Sequence, residues 1–427
     1  MTEKEDSFWK QLTRSLGPGF ITGAADDDPS GIATYSQTGA MFGYAQLWTS
    51  LFSYPFMTVI QEMCGRIGLV TGKGLSDVIR DNYPRKLLYG AVVLLLIANI
   101  INIGADLGAM AAAIELLVPI PFIALLIGIT LAMLALEVYV PYPTYVRVLK
   151  YLTLSLLAYV VTAFIVKEDW GMILRATLVP HIAFTSEYVM NIAAILGTTI
   201  SPYLFFWQAD EEVEEEIEKG KIKDMGVGKP EIKKSDVRQM RIDTILGMFF
   251  SQAVMFFIIL TVAATLSTSG VNTIATAADA AAALRPVAGN FAFILFALGI
   301  IGTGLLAVPV LAGSAGYALA EAFGWKVGLG KRFSQAKGFY GIIAVATLVG
   351  LLVNFSSIAP MTMLYYAAML NGVLAPPLMI LILFIANNTK ILGKHTNSWF
   401  SNTLGIFITI LMSAISLGLI YSLFQPK

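Results

Sequence analysis

Three consecutive aspartates, Asp26, Asp27 and Asp28, stand inside the first long apolar segment of the chain, directly before Pro29-Ser30-Gly31. If that segment crosses a membrane, a carboxylate at its middle is costly and functional by default, so at least one of the three is expected to be ionised beside a cation. The proline breaks the helix and the glycine tolerates unwound backbone, which exposes carbonyl oxygens next to the acids. These hard oxygen ligands predict a cation site and disfavour an anionic substrate.

A second proline break lies in a later apolar segment, at Gly197-Thr198-Thr199-Ile200-Ser201-Pro202-Tyr203. Transport sites often lie where two interrupted helices, in corresponding positions of two inverted repeats, meet near the middle of the membrane. Prolines also kink membrane helices where there is no site. A kink alone does not account for the carboxylates at the first break, so the pair of breaks predicts a site shared by two helices.

Composition places the chain in lipid rather than in water. Of its 427 residues, 57% are hydrophobic and 13% are charged, whereas soluble domains carry about 25% charged residues. The net charge of zero points to no nucleic-acid partner, and the single cysteine, Cys64, excludes an internal disulfide framework or a cysteine-rich metal site. Residues 1–16 are polar and the first apolar segment lacks a small-residue cleavage site, so it is expected to stay in the membrane.

Apolar stretches of membrane-spanning length predict eleven helices. Their approximate bounds are 17–43, 45–69, 87–117, 120–139, 143–166, 187–218, 237–267, 289–323, 338–355, 358–386 and 399–424. With the N-terminus inside, 24 of the 28 lysines and arginines fall on cytoplasmic segments. The positive-inside rule therefore predicts a multi-pass protein of the cell membrane with a cytoplasmic N-terminus and an extracytoplasmic C-terminus.

The eleven spans predict an all-α fold with one membrane domain. A cytoplasmic segment 1–16 precedes a first repeat at 17–166, an inverted second repeat occupies 187–386, and 399–424 adds a further helix. The first and sixth helices are the broken ones. The polar segment 70–86 is expected to form a short amphipathic helix on the inner surface.

An acidic run continues the sixth helix toward the long inner loop, with Asp210-Glu211-Glu212 followed by Glu214-Glu215-Glu216. A solvated helix end is the favoured interpretation, and a regulatory metal site is the alternative.

Four polar residues fall near the middle of other spans. Asp106, in the third span, is either a second electrostatic stop for a cation or a partner in a polar network. Asn371, in the tenth, forms an interhelical hydrogen bond or coordinates an ion or water. Asn99 and Asn102, also in the third span, are expected to form packing hydrogen bonds.

Several motifs resemble those of the Nramp family of divalent metal transporters, over nearly the whole chain. The similarity implies the LeuT-type fold, with ten core helices in two inverted repeats, and transport by alternating access. The segments that carry it are Leu16-Gly17-Pro18-Gly19-Phe20, Asp28-Pro29-Ser30-Gly31-Ile32-Ala33-Thr34, Phe42-Gly43-Tyr44, Leu47-Trp48, Arg66-Ile67-Gly68-Leu69-Val70-Thr71-Gly72-Lys73, Gly104-Ala105-Asp106-Leu107 and Leu196-Gly197-Thr198-Thr199-Ile200-Ser201-Pro202-Tyr203.

Departures from the family pattern point to a harder ion. The family's first-helix motif is Asp-Pro-Gly-Asn, and this chain has Asp28-Pro29-Ser30-Gly31; its sixth-helix motif is Met-Pro-His-Asn, and this chain has Ser201-Pro202-Tyr203-Leu204. A thioether favours manganese and iron, whereas magnesium prefers oxygen ligands and sheds water reluctantly. Smaller residues also suggest a wider cavity for a partly hydrated ion. The pattern is similar to the Nramp-related magnesium transporters, a divergent branch of the family.

The resemblance and its departures assign roles to named residues. Tyr203 is expected to pack at the break or to offer its hydroxyl to a water near the ion. Asp106, Asp26 and Asp27 are accessory acids, the last two lining a vestibule on the cytoplasmic side or supplying a second carboxylate. The assigned metal ligands are Asp28, Ser201, Gly31, Thr198 and Asn371.

Proton coupling is not expected. The family's acidic pair in the third helix is here Asp106 with Ala109, and both histidines, His181 and His395, are placed in loops. A divalent cation crossing a potential of about 100 mV gains roughly 4.6 kcal/mol, which corresponds to about a 2,000-fold concentration ratio. The sequence therefore predicts uncoupled uptake of magnesium, and also of manganese.

Three other functions compete with magnesium uptake. A proton-coupled manganese or iron importer is the alternative within the family. A sensor built on the transporter fold is disfavoured because no signalling domain is attached, and an enzyme is disfavoured because no nucleophile–base pair or phosphate loop is present. The divalent ion is expected as substrate rather than as cofactor, in a monomer surrounded by lipid.

Overall fold

The computed structural model describes residues 17–140, 155–166 and 168–423. Within these ranges the chain is helical and contains no β-strand, apart from one isolated bridge between Asp224 and Val227. The cytoplasmic segment expected at 1–16 lies outside the described residues, as does 143–154, the first half of the fifth predicted span.

The described helices follow the predicted spans closely. Their bounds are α1 Pro18–Asp26, α2 Pro29–Phe42, α3 Trp48–Thr71, α4 Leu75–Asn82, α5 Arg85–Glu115, α6 Phe122–Tyr139, α7 Leu157–Ile165, α8 Trp170–Leu178, α9 Ser186–Thr199, α10 Pro202–Glu218, α11 Lys234–Thr265, α12 Ala277–Ala282, α13 Arg285–Ala288, α14 Ala292–Ala322, α15 Lys337–Val353, α16 Pro360–Ala386, α17 Thr389–Leu392 and α18 Trp399–Leu423. Short 3₁₀ turns connect some of them.

Apolar surface faces outward along the long helices. Seven helical segments in the described part of the chain are long and apolar enough to cross a membrane, and large aliphatic side chains such as Leu131 (59% exposed) and Ile410 (64% exposed) lie on their outer faces. Helices satisfy their own backbone hydrogen bonds, so an apolar outer face is stable in lipid. The amphipathic helix expected within 70–86 is α4.

Small residues allow the broken helices to pack directly against their neighbours. A side chain on Gly23 of α1 would clash with the backbone of Gly247 on α11, and one on Gly197 of α9 would clash with the backbone of Ala368 and Gly372 on α16. Close backbone approach of this kind is how helices associate in membranes. It holds α1 against α11 and α9 against α16, and so fixes both breaks.

Candidate metal site at two helix breaks

The first break is a two-residue interruption between α1 and α2. Asp27 is the C-cap of α1 and Asp28 is the N-cap of α2, with Pro29 in the first helical position. The Asp28 Oδ1 atom accepts hydrogen bonds from the Gly31 backbone N–H (2.7 Å) and from the Ser30 hydroxyl (2.6 Å). An aspartate is a favoured N-cap because it satisfies the otherwise unpaired amides of the first turn. Because Asp28 caps α2, its carboxylate points into the break.

Helix α5 supplies the second partner of Asp28. The Asn102 side-chain amide donates to Asp28 Oδ2 at 2.8 Å, and its own Oδ1 is buried without a donor among the described residues. Asn99, one turn earlier, donates instead to the Leu311 carbonyl at 2.8 Å. Both asparagines form hydrogen bonds between helices, as predicted, and only Asn102 faces the break.

Asp106 lies on the same helix, four residues after Asn102. It is fully buried, and neither carboxyl oxygen has a hydrogen-bond partner in the described part of the chain. A buried acid without a donor is expensive and points to an ion, a proton or water at that place. The spacing of one helical turn puts Asp106 on the face that carries Asn102.

The second break, between α9 and α10, faces the first. Ser201 is the N-cap residue of α10, and its hydroxyl donates back to the carbonyls of Gly197 (2.6 Å) and Thr198 (2.8 Å). Because its proton is used in this way, the lone pairs of Ser201 Oγ stay available to a cation. A Cβ on Gly31 would lie 3.3 Å from the buried Thr198 Oγ1.

Tyr203 connects the two broken helices. Its hydroxyl donates to the Ala25 carbonyl at 2.9 Å, and its own carbonyl accepts from the Ser314 hydroxyl of α14 at 3.0 Å. Ala25 belongs to the last turn of α1, where carbonyls lack intrahelical partners. The Tyr203 hydroxyl therefore bonds to the protein backbone, which replaces the water contact suggested by the sequence.

Asp26 and Asp27 turn toward α11 rather than toward Asn102. The Ser251 hydroxyl donates to Asp26 Oδ2 in a short hydrogen bond and lies 3.4 Å from Asp27 Oδ1. Both acids are buried, at 0% and 5% exposure. In this conformation they line no open vestibule, and Asp26 Oδ1 is left without a partner among the described residues.

Asn371 lies next to Gly372, the residue of α16 that packs against Gly197. Its side chain is 1% exposed and its amide nitrogen has no partner in the described part of the chain. The structure thus places Asn371 behind the second break without a direct bond to the other predicted ligands. Over the described residues, no group of three or more His, Cys, Asp or Glu side chains is arranged to hold a metal ion.

Access to the breaks is unequal on the two sides. A cavity of about 290 Å³ reaches Ala33, one turn beyond the first break, and its wall includes Gln37, Glu187 and Tyr365. On the α1 side the space lined by Gly17, Glu212 and Asp243 measures only about 10 Å³, enough for about one water. Asp28 itself is 1% exposed, so the site is closed to both sides.

Asp243 of α11 seals the start of α1, a role that the sequence did not indicate. Its carboxylate accepts from the backbone N–H groups of Gly17 (3.0 Å), Gly19 (2.7 Å) and Phe20 (3.3 Å). Carboxylates are favourable at helix N-termini, where unpaired amides and the helix dipole meet. The sequence pattern that could have indicated this role is the glycine-proline-glycine start of α1. These residues have no side chain that can cap the helix, so the cap must come from another segment.

Both histidines lie in connections between helices, as predicted. Partial burial and the positive charges of Lys394 and Arg66 hold the pKa of His395 below its usual value. The imidazole is consequently neutral at pH 7 and lies outside the broken helices.

The acidic run after the second break is largely buried, so the solvated helix end favoured from the sequence is wrong. Asp210 and Glu216 are 0% exposed, and Glu212 is 1% exposed. Most of these acids have local partners: Glu214 accepts from the Tyr317 hydroxyl at 2.7 Å, and Glu216 pairs with Lys221 at 3.0 Å. Packing of α10 against α3 and α14 covers charges that the sequence pattern assigns to solvent.

The chain is similar to known proteins over nearly its whole length. The family model described as "Natural resistance-associated macrophage protein-like" (Nramp) matches residues 19–422. A divalent metal cation transporter, MntH, of Yersinia pestis (strain Pestoides F) is 26% identical over 419 residues, which is 96% of this chain and 95% of that protein.

Two solved structures share the fold. The Eremococcus coleocola manganese transporter, in complex with an aromatic bis-isothiourea substituted compound, superposes with a TM-score of 0.75 at 16% identity, covering 100% of this chain and 91% of its own. Mhp1, a nucleobase-cation-symport-1 family transporter in a closed conformation, gives a TM-score of 0.59 at 13% identity, covering 95% and 90%. The architecture is therefore the LeuT type expected from the sequence.

Proposed function

The chain belongs to the Nramp family, and from that premise we propose that it takes up Mg²⁺, with Mn²⁺ as a second substrate, by alternating access. Membership makes it a multi-pass membrane transporter of divalent metal cations and not an enzyme. Family membership does not specify which metal is carried, so the preference for Mg²⁺ is inferred from the chain's own residues.

The observation that carries the choice is the donor set at the two breaks. Segments 26–31 and 197–203 contain no methionine or cysteine, and the ligands proposed there are the Asp28 carboxylate and the Ser201 and Thr198 oxygens. Magnesium takes oxygen ligands and keeps several waters, whereas softer metals gain from sulfur. An all-oxygen site of this kind supports a hard ion.

In the proposed site Asp28 is the charged ligand and Ser201 contributes its hydroxyl oxygen. Thr198 adds a second hydroxyl, and Gly31 leaves the approach to it free of a side chain. Asn371 of α16 is the last of the proposed ligands. Asn102 Oδ1, which has no donor among the described residues, is a further oxygen beside Asp28. Asp106 adds negative charge that attracts the ion.

We propose that transport is driven by the membrane potential without proton coupling. The second acid of the family's third-helix pair is here Ala109, the histidine of its sixth-helix motif is here Tyr203, and His395 is neutral in a loop. The membrane potential alone suffices for an ion that is abundant on both sides.

Topology and organisation belong to the same proposal. The lysine and arginine distribution supports a cytoplasmic N-terminus and an extracytoplasmic C-terminus, which places the cavity at Ala33 outside and the Asp243 seal inside. Residues 17–166 and 187–386 form the inverted repeats, 399–424 the added helix, and the unit of transport is a monomer.

A proton-coupled manganese or iron importer is the second candidate, and the relatives named above favour it because they carry manganese or divalent metals. Competition separates the two. The purified protein in liposomes takes up trace radioactive Mn²⁺ in the presence of millimolar Mg²⁺. Strong inhibition supports the magnesium site, and uptake unaffected by excess Mg²⁺ establishes the second candidate.

A further inference from the structure

Away from Asp28, two carboxyl groups from different helices meet in the interior of the protein. Asp210 of α10 is 0% exposed and Glu321 of α14 is 1% exposed. Both oxygens of Asp210 and Oε1 of Glu321 lack a hydrogen-bond donor among the described residues, although the two side chains lie within hydrogen-bonding reach of each other. This pair takes no part in the site at the breaks.

A third element, α4, closes around the pair. Asp210 Oδ1 and Glu321 Oε1 both lie against Gly74, at the place where a Cβ would stand, so only glycine fits before α4. Glu321 Oε2 accepts from the Asp77 backbone N–H at 3.1 Å. The Ser76 hydroxyl, fully buried in the first turn of α4, has no partner in the described part of the chain.

The basic residues nearby are engaged with other acids. Arg80 pairs with Asp77 at 2.8 Å, and Lys73 pairs with Asp81 at 2.5 Å. Arg80 also donates to the Glu321 backbone carbonyl, but no cationic side chain in the described part of the chain forms an ion pair with the carboxylate of Asp210 or Glu321. Burial of two carboxylates without a counter-ion in contact is strongly unfavourable. A divalent cation balances two such charges, and Mg²⁺ is commonly held by one or two carboxylates while it keeps its remaining waters.

We propose that Asp210 and Glu321 form a second divalent-cation site, at which a bound ion ties α10 to α14 and to the start of α4. Ser201 is the N-cap of α10 and Asp210 lies within the same helix, so an ion at Asp210 restrains the helix whose first residues contact the transported ion. The inference rests on the proposed topology, which puts this site on the cytoplasmic side. Its consequence is feedback: Mg²⁺ that accumulates inside holds the inner pathway closed.

The test counts bound Mn²⁺ on the purified full-length chain by electron paramagnetic resonance of the free ion. The D28A variant removes the transport site and is expected to retain one Mn²⁺ per chain. D28A/E321Q and D28A/D210N are expected to bind none, whereas D28A/E218Q, which neutralises an exposed acid at the end of the same helix, keeps the ion. In liposomes, internal Mg²⁺ slows uptake by the wild type and leaves E321Q unaffected.

Loss of all Mn²⁺ binding in D28A overturns the second site and leaves the transport proposal intact. The second site is also overturned if Asp210 and Glu321 share a proton instead of binding a metal. In that case D28A/E321Q binds as much Mn²⁺ as D28A. Should the neutral variants fail to fold, wild-type crystals soaked in Mn²⁺ decide: an anomalous peak between Asp210 and Glu321 supports the site, and its absence refutes it. Undiminished transport by D28A refutes the proposed function alone.

Discussion

The hydroxyl of Tyr203 donates a hydrogen bond of 2.9 Å to the carbonyl oxygen of Ala25. Tyr203 opens the second half of one broken helix, and Ala25 belongs to the last turn of the first half of the other. The second break therefore supplies what the first lacks, a donor for an unpaired carbonyl. The two interruptions form one structural unit, and the predictions below test its parts.

Asp28→Ala is expected to reduce Mg²⁺ uptake into liposomes to the level of protein-free vesicles, because it removes the charged ligand. The change also removes an N-cap, at about 1 kcal/mol of stability. Asp28→Asn separates the two effects, since asparagine caps a helix as well as aspartate but carries no charge. Both variants should elute as folded protein, and Glu231→Gln, an exposed loop acid, is the control. Normal transport by either Asp28 variant would place the site elsewhere.

Ser201→Met is expected to shift selectivity toward Mn²⁺, because it introduces a soft thioether at the second break. The concentration of Mg²⁺ that halves Mn²⁺ uptake should rise about tenfold, equivalent to about 1.4 kcal/mol. Ser201→Ala, which removes the hydroxyl without adding sulfur, controls for loss of the oxygen ligand and should weaken both ions. Equal competition curves for the methionine variant and the wild type would contradict a ligand role for Ser201.

Asn102→Ala is expected to weaken Mg²⁺ transport through its hydrogen bond to Asp28. Hydrogen bonds to charged groups contribute roughly 1.5–3 kcal/mol, so the apparent KM should rise about tenfold or more. Asn99→Ala, on the same helix, removes a bond to the Leu311 carbonyl and should lower thermal stability without changing KM. Similar kinetics for the two variants would return Asn102 to a packing role.

Tyr203→Phe deletes only the hydroxyl that joins the two breaks. It leaves the buried Ala25 carbonyl unsatisfied, which costs about 1–3 kcal/mol, so the melting temperature in detergent and the maximal uptake rate should both fall. Tyr139→Phe, at a tyrosine that is 83% exposed, is the matched control and should change neither. A Tyr203→Phe protein with wild-type melting and uptake would show that the bond is dispensable.

Uptake of Mg²⁺ is expected to leave the internal pH of liposomes unchanged. A trapped pH-sensitive dye measures this while a potassium gradient with valinomycin sets the potential. Because the pKa of His395 is lowered, its imidazole stays neutral between about pH 6.5 and 8, and it becomes charged only as the pH falls below that range. Uptake should be flat over this interval in both the wild type and His395→Gln. Acidification that accompanies Mg²⁺ entry would establish proton coupling.

The sequence by itself determined the helices and the two breaks. Apolar length sets where a chain can cross lipid, and proline with small neighbours sets where a helix is interrupted, so both features are local. The predicted bounds agree with the described helices to within a few residues, and Asp28, Gly31, Thr198 and Ser201 do lie where the two breaks face each other.

Only the tertiary structure decided which polar groups meet. Asn99 and Asn102 are both amides of one helix, yet only Asn102 reaches Asp28, because the rotation of α5 about its axis depends on its packing against other helices. The acidic run looks solvated in sequence, but α10 packs between α3, α4 and α14, so Asp210 is buried against Glu321 and Gly74. Contacts between residues 74 or more positions apart, such as Asn102 with Asp28, cannot be read from the local sequence pattern, and they define both metal sites proposed for this protein.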